Sequence, residues 1–195
     1  MTYFILGLAD KRPIIYPLLY VLSMSGNTLF VSDDGAYRRL LPKHERLGHM
    51  GNVMVFTNAD INGEVLKQEN INTRDYDHIV YALLDDTEGK DGLTIYAKQD
   101  GSPFRQAHPL DGAEQTQDFK TVHIGFKAPS EKGAFFIPIT ESLMKECHAV
   151  ENLCRLSPPK NAKVINVLSS LLAPSFGKPE KVMRKLLTYK GGVLT

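Results

Sequence analysis

The opening of the chain constrains the fold more than any other part of it. Two apolar runs of strand length, residues 3–9 and 28–32, lie on either side of residues 14–24, which are apolar nearly all round and have the length of a helix. Residues 25–27, Ser-Gly-Asn, are typical of a helix end. Pro17 fits only if it lies in the first helical turn, where its missing N–H has no intrahelical partner to lose. The pattern predicts a strand, a buried helix and a second strand.

Further apolar runs and helical patterns alternate along the rest of the chain. The runs are continuous, which is typical of strands buried on both faces of a parallel sheet. They cover residues 52–57, 78–84, 93–97, 122–126 and 134–138. Apolar spacing predicts helices over 141–156, with Thr140 as N-cap, and over 161–172 and 179–190. This order predicts one three-layer α/β/α domain over residues 1–195, with a mostly parallel sheet.

Composition and charge limit the possible functions. The 195 residues include 23 basic and 22 acidic side chains, so the whole protein has no strong field that attracts nucleic acid or a membrane. Cys147 and Cys154 lie on one predicted helix, about 10 Å apart along its axis, which is too far for a disulfide. The N-terminus lacks the features of a signal peptide, and no apolar run has the length of a membrane span. We therefore expect a cytoplasmic protein.

Three short passages follow one another in a distinctive order. The opening unit ends in Val-Ser-Asp-Asp at 31–34, residues 75–80 read Asp-Tyr-Asp-His-Ile-Val, and residues 136–143 read Phe-Ile-Pro-Ile-Thr-Glu-Ser-Leu. In this order and spacing they resemble the MinD/ParA family of P-loop ATPases, which includes the pilus-assembly localisation proteins. The resemblance covers nearly the whole chain. It implies a P-loop NTPase-like, Rossmann-like topology and a role in a bacterial secretion, pilus or partition system.

The phosphate-binding loop of that family is degenerate in this sequence. The family has two lysines and a Gly-Lys-Thr/Ser that hold phosphates and Mg²⁺, whereas residues 9–15 read Ala-Asp-Lys-Arg-Pro-Ile-Ile. Asp10 would repel a phosphate, Pro13 removes an N–H donor, and no hydroxyl is placed for the metal. Tyr81 or Ala82 replaces a further carboxylate of the family. The resemblance therefore implies a pseudo-ATPase without a cofactor, a non-hydrolysing adaptor or positioning protein that binds a protein partner or forms a homodimer.

A candidate anion site lies at the carboxyl ends of the first two predicted strands, the edge at which open α/β sheets usually bind ligands. Its members are two aspartates, which match acidic residues after the family's second strand, and four basic residues: Asp33, Asp34, Lys11, Arg12, Arg38 and Arg39. In one interpretation the chain is an enzyme or an atypical nucleotide-binding protein that uses Lys11, Arg12, Asp33 and Asp34. In the other, the aspartates cap a helix whose arginines are solvated. The sequence identifies no catalytic residue.

Two surfaces are candidates for polyanion binding. The basic residues of the anion site form a basic rim together with Lys43, His44 and Arg46, and such a rim can contact DNA phosphates. This is the alternative of a non-specific DNA-binding partition component. Residues 179–190 form a basic amphipathic helix, which lies either on an anionic membrane or on the domain's own sheet.

The sequence shows no metal-ligand spacing. The six histidines, at positions 44, 49, 78, 108, 123 and 148, are not clustered, and the two cysteines do not bring them together. Loop acids at positions 85, 86, 88, 91 and 100 form either a hydrated surface or a divalent-cation site. We expect no structural metal.

Overall fold

One sheet organises the described part of the protein. The computed structural model describes residues 1–84, 92–99, 119–130 and 133–190, and within these ranges the sheet has eight strands. In chain order they are β1 (Thr2–Leu6), β2 (Thr28–Ser32), β3 (Leu47–Met50), β4 (Val53–Thr57), β5 (His78–Leu83), β6 (Leu93–Gln99), β7 (Phe119–Gly125) and β8 (Phe135–Pro138). Their order across the sheet is β3-β4-β2-β5-β1-β6-β7-β8. Neighbouring strands are parallel except β3 and β4.

Helices cover both faces of this sheet. They are α1 (Arg12–Ser23), α2 (Gly63–Gln68), α3 (Glu141–Leu153), α4 (Ala162–Ser175) and α5 (Glu180–Thr188), with short 3-10 helices at Gly35–Leu40, Pro42–His44 and Thr73–Asp75. α1, α3, α4 and α5 share one large hydrophobic cluster, and α2 contributes Leu66 to a separate cluster with Leu29, Val31 and Phe56. The predicted three-layer α/β/α architecture, with a mostly parallel, Rossmann-like sheet, is confirmed.

β1 shows why the apolar runs in the sequence are continuous. Tyr3 and Ile5 belong to the cluster under α1, whereas Phe4 and Leu6 belong to another cluster. Successive side chains of a strand point to opposite faces of the sheet. A central strand that is covered on both faces therefore needs an apolar residue at every position.

The connections place the carboxyl end of β1 at a switch point of the sheet. After β1 the chain passes through α1 to β2, and β2 to β5 all lie on one side of β1 in the sheet. β6, which follows β5 in the chain, lies on the opposite side of β1. In open α/β sheets, ligands usually bind outside the carboxyl ends of the strands at such a point. Residues 7–11, which connect β1 to α1, lie there.

The predicted position of Pro17 in the first turn of its helix is wrong. α1 begins at Arg12, so Pro13 occupies the first turn and Pro17 lies in the interior. Pro17 cannot donate the intrahelical hydrogen bond to the carbonyl of residue 13. Every residue of α1 from 13 to 22 is nevertheless buried, and this packing stabilises the helix despite the missing bond.

β3 is a strand that the sequence does not predict. It is four residues long, contains Gly48 and the exposed His49, and pairs antiparallel with β4 at the edge of the sheet. Such an edge strand needs no continuous apolar run, because only one side of it is paired and covered. A pattern search for strands buried on both faces therefore misses it.

The predicted cap of α3 is confirmed. The Thr140 hydroxyl accepts a hydrogen bond from the Leu143 N–H at 3.2 Å. Cys147 is a buried free thiol within α3, and Cys154 is a half-buried free thiol at its end. The two thiols are not joined by a disulfide.

α5 lies within the predicted helix 179–190 and packs against the protein itself. Met183 and Leu187 are fully buried in the large hydrophobic cluster. Just beyond the helix, the Tyr20 hydroxyl of α1 donates a hydrogen bond to the Tyr189 carbonyl. Within the described ranges, the helices are too short or too polar to cross a membrane.

Candidate functional site at the carboxyl edge of the sheet

Lys11 closes the loop between β1 and α1 from the inside. Its side chain is only 2% exposed. The ammonium group donates hydrogen bonds to the carbonyl oxygens of Gly7, at 2.6 Å, and Leu83, at 3.1 Å, and so joins the ends of β1 and β5. Gly7 adopts a φ of +104°, and a Cβ there would lie 2.4 Å from the carbonyl oxygen of Ala97. The turn thus requires glycine, and it brings a carbonyl oxygen to the buried ammonium.

Burial and three aspartates influence the pKa of Lys11 in opposite directions. Burial lowers the pKa of Lys11, because a charged group loses its hydration in the interior. The carboxylates of Asp33, Asp34 and Asp10 oppose this shift, since their negative charges favour the ammonium form. The structure therefore brings Lys11 and the two predicted aspartates together at one edge of the sheet.

Asp33 and Asp34 have different local roles. The Asp33 carboxylate accepts a hydrogen bond from the Leu84 N–H at 2.9 Å, and so fixes the residue that follows β5. Asp34 accepts from the Ala36 N–H at 2.8 Å and caps the 3-10 helix Gly35–Leu40. The capping interpretation thus describes Asp34, whereas Asp33 connects the ends of β2 and β5.

Arg12 is held by two carboxylates. Its Nη2 lies 2.7 Å from Asp10 Oδ2, its Nε lies 2.9 Å from Asp10 Oδ1, and its Nη1 lies 3.0 Å from Glu151 Oε1. The hydrogen bond to Asp10 is the largest cause of a raised pKa of Arg12. The Tyr16 hydroxyl donates to the same Glu151 oxygen at 2.8 Å, and Glu151 is itself buried. The Arg12 guanidinium therefore has internal partners on both sides.

The other basic residues of the predicted site and rim have different surroundings. Arg38 Nε donates to the Thr57 hydroxyl at 3.3 Å, at the end of β4, and Arg39 is exposed on the same 3-10 helix. Arg46 forms an ion pair with Glu69. Lys43 and His44 are exposed. Of the predicted basic rim, Lys11 is therefore buried and two arginines, Arg12 and Arg46, are paired with carboxylates, whereas the other members are exposed.

An apolar rim lies at the same edge of the sheet. It consists of three exposed apolar side chains that come just after strands of the sheet. Leu8 comes two residues after β1 and is 60% exposed, Leu84 directly follows β5 and is 41% exposed, and Phe126 directly follows β7 and is 79% exposed. The strands that precede them lie in the order β5-β1-β6-β7 across the sheet. Neighbouring strands are about 4.8 Å apart, so the distance from β5 to β7 is about 14 Å. Exposed large apolar side chains that lie near one another typically mark an interaction surface.

Sequence reasoning missed the residues that complete this site. Glu151 belongs to α3 and is 139 residues from Arg12, and no spacing rule connects the two. Tyr16 is part of an apolar helix, where a tyrosine is expected to contribute packing. The available signal for Glu151 is an acidic residue within the apolar pattern of α3, next to the buried Val150.

A small cavity lies beside the Arg12 network, between α1 and α3. Its volume is about 60 Å³, and its lining includes Pro13, Tyr16, Cys147 and Val150. Pockets that bind small molecules usually have volumes of about 300–1,000 Å³. This cavity is therefore too small to hold a nucleotide.

Potential metal ligands are scattered over the described residues. Within those ranges, no group of three or more His, Cys, Asp or Glu side chains could hold a metal ion. The loop acids at positions 85, 86, 88, 91 and 100, and the histidine at position 108, lie outside the described residues.

The fold and the site define an α/β protein with a mostly parallel sheet and a polar carboxyl edge. No protein-family model matches the chain, and no curated protein matches it. The function therefore has to be inferred from the residues at this edge.

Proposed function

We propose that this chain is a MinD/ParA-like adaptor or positioning protein that binds a protein partner and does not hydrolyse nucleotides. One observation carries the proposal: both cations at the start of α1 have internal partners. Lys11 donates to two backbone carbonyls, and Arg12 is bound by Asp10 and Glu151. A phosphate that approached this helix N-terminus would have to displace these contacts before it gained any of its own.

The local charge supports the same proposal. Asp10, Asp33 and Asp34 lie close enough to favour the charged form of Lys11, so they also face any anion that approaches it. Charges of the same sign repel strongly where solvent is partly excluded. In addition, Pro13 offers no N–H in the first turn of α1. Among the described residues, the two cations at the start of α1 are therefore already bonded, and the first turn of α1 offers one N–H fewer to a phosphate.

The apolar rim supports a protein as the ligand. Leu8, Leu84 and Phe126 expose aliphatic and aromatic surface at the same edge of the sheet as Lys11 and Arg12. Protein interfaces bury apolar and aromatic side chains at their centre, surrounded by polar groups. A partner that covers this rim would gain hydrophobic stabilisation without disturbing the Lys11 and Arg12 contacts.

Thermal unfolding with millimolar Mg²⁺-ATP, Mg²⁺-GTP and Mg²⁺ alone tests the absence of nucleotide binding. A ligand at 100 times its dissociation constant stabilises the folded state by about 2.7 kcal/mol. We expect the same unfolding temperature in all three samples. A nucleotide-dependent rise of several degrees, with release of phosphate over time, would overturn the proposal.

Variants of the apolar rim test the partner. Leu8→Ser/Phe126→Ser removes much of the rim, and Leu153→Ser, which changes another exposed leucine, is the matched control. Proteins that copurify from the native host are compared quantitatively for the three chains. We expect the rim variant to lose a partner that the wild type and the control retain; identical partners for all three chains would contradict binding at the rim.

A second candidate function uses the same edge to bind a phosphorylated substrate. It is favoured by the proximity of Lys11 to Asp33 and Asp34, because an ammonium beside two carboxylates is a common acid–base arrangement. Lys11 and Arg12 would contact the phosphate after Lys11 leaves its two backbone carbonyls and Arg12 leaves its carboxylates. Asp33→Ala/Asp34→Ala, compared with Asp60→Ala/Asp75→Ala, tests this candidate: if all measured ligand binding and turnover survive the first double substitution, the candidate is eliminated.

A further inference from the structure

Positive charge is concentrated near the last two helices. Residues 157–190 contain seven of the 23 basic side chains of the chain and one of its 22 acidic side chains. Because the formal net charge of the whole protein is +1, the remaining residues carry an excess of acid. The protein is therefore polarised, although its net charge is close to zero.

The exposed sides of α4 and α5 form one continuous surface. Arg184 Nη2 of α5 donates a hydrogen bond to Asn166 Oδ1 of α4 at 2.7 Å. Lys163 lies one helical turn before Asn166, and Lys181 and Lys185 lie on either side of Arg184. We define Lys163, Lys181, Arg184 and Lys185 as the basic face; all four side chains are exposed.

The basic face is held rigidly on the protein. Met183 and Leu187, on the inner side of α5, are fully buried in the large hydrophobic cluster. The apolar side of this helix is therefore not available for insertion into a bilayer. Within the described ranges, none of the three lysines of the face forms an ion pair, and all three side chains are exposed.

We propose that the basic face binds an acidic segment of a partner protein. Lys181, Arg184 and Lys185 are spaced three and four residues apart on a fixed helix, and acidic side chains with the same spacing complement them. A short acidic segment contacts this face alone. A DNA duplex or a flat anionic membrane extends further, and the excess of acid on the rest of the protein repels it. The face does not include the apolar rim, so this interaction is separate from the proposed function.

Fluorescence anisotropy with a synthetic probe tests the interaction. The probe is a labelled helical peptide with glutamates three and four residues apart, and its control replaces each glutamate by glutamine. We expect the full-length protein to bind the first peptide and not the second, and the affinity to fall as salt increases, since screening acts over about 8 Å at physiological ionic strength. Lys181→Glu/Arg184→Glu/Lys185→Glu should weaken binding at least about tenfold, or about 1.4 kcal/mol.

Matched variants keep the test specific. Lys67→Glu/Lys98→Glu/Lys127→Glu makes the same change in net charge at exposed positions elsewhere, and it should leave the affinity within about twofold of wild type. Lys181→Gln/Lys185→Gln keeps the Arg184 contact with Asn166. It replaces the charge-reversal variant in the binding measurement if that variant does not fold, and it should also weaken binding of the glutamate peptide. The proposal is overturned by any of three results: no binding of the glutamate peptide, equal weakening by the control variant, or tighter binding of duplex DNA or phosphatidylserine vesicles than of the peptide.

Discussion

The Lys11 ammonium lies 2.6 Å from the carbonyl oxygen of Gly7, four residues earlier in the chain. A charged side chain thus satisfies the backbone of the loop that precedes α1. In a loop that binds phosphate, donors point outward to the ligand. Here the Lys11 ammonium points inward, and its hydrogen bonds go to the Gly7 and Leu83 carbonyls of the protein's own backbone.

Substitution Lys11→Met should destabilise the protein by about 1–3 kcal/mol, because it leaves the buried carbonyls of Gly7 and Leu83 without this donor. Chemical denaturation measures the free energy of unfolding, and Lys67→Met, at an exposed position of α2, is the control. An unchanged free energy of unfolding for Lys11→Met would show that the ammonium does not stabilise the loop.

Substitution Gly7→Ala should cost at least about 2 kcal/mol, since it combines a positive φ with a Cβ placed 2.4 Å from the Ala97 carbonyl oxygen. Gly35→Ala is the matched control, because a Cβ at Gly35 has no neighbour within 4 Å. The two variants are compared by thermal and chemical unfolding. Equal stability would mean that the loop at Gly7 shifts without cost.

Substitution Glu151→Gln should destabilise the protein by about 1–3 kcal/mol, because it replaces the charged carboxylate that accepts hydrogen bonds from Arg12 and Tyr16 by a neutral amide. Glu141→Gln removes an equivalent charge from the exposed pair with Lys145, and it should cost about 1 kcal/mol or less. Chemical denaturation of both variants gives the comparison. Similar losses for the two would argue against a specific role of the buried network.

The layers of the fold were predictable because buried positions can be recognised from the local sequence. Residues 3–6 of β1 are all apolar, since both faces of that strand are covered, and Thr140 lies where α3 needs a cap. The edge strand β3 has no such apolar pattern, because one side of it is exposed and its four residues include glycine and histidine. Pro17 was misplaced because packing of α1 outweighs a local backbone preference.

The site was predictable only in part. Lys11, Arg12, Asp33 and Asp34 could be placed at one edge, because the carboxyl ends of parallel strands meet there. The sequence could not show that Lys11 points inward, because that orientation depends on the φ of Gly7 and on carbonyls from two strands. The contact of Glu151 with Arg12 arises only in the folded chain, across 139 positions.

The two thiols should react at different rates. Burial raises the pKa of Cys147 to about 12, so only a small fraction of this thiol is ionised at neutral pH. Cys154, in contrast, is half-buried at the end of α3. The thiolate is the reactive form. We expect iodoacetamide to modify Cys154 first under native conditions, as followed by peptide mass spectrometry with Cys154→Ser and Cys147→Ser variants. Preferential labelling of Cys147 would contradict its buried position.

His78 should make the stability depend on pH. Its Nε2 lies 2.9 Å from the Ser25 hydroxyl, and its buried Nδ1 has no hydrogen-bond partner among the described residues. Burial, and secondarily the N-terminal amine, lower the pKa of His78, while Asp77 acts in the opposite direction. The unfolded chain therefore binds a proton more readily than the folded protein, and the free energy of unfolding should fall as the pH decreases below about 6.5.

His78→Gln tests this prediction because its side-chain amide can keep the bond to Ser25 and cannot be protonated in this range. We expect the variant to lose less stability than the wild type between pH 7.5 and pH 5, measured by chemical denaturation at each pH. His148→Gln changes an exposed histidine of α3 and should follow the wild type. If His78→Gln also follows the wild type, protonation of His78 does not contribute to the loss of stability in acid.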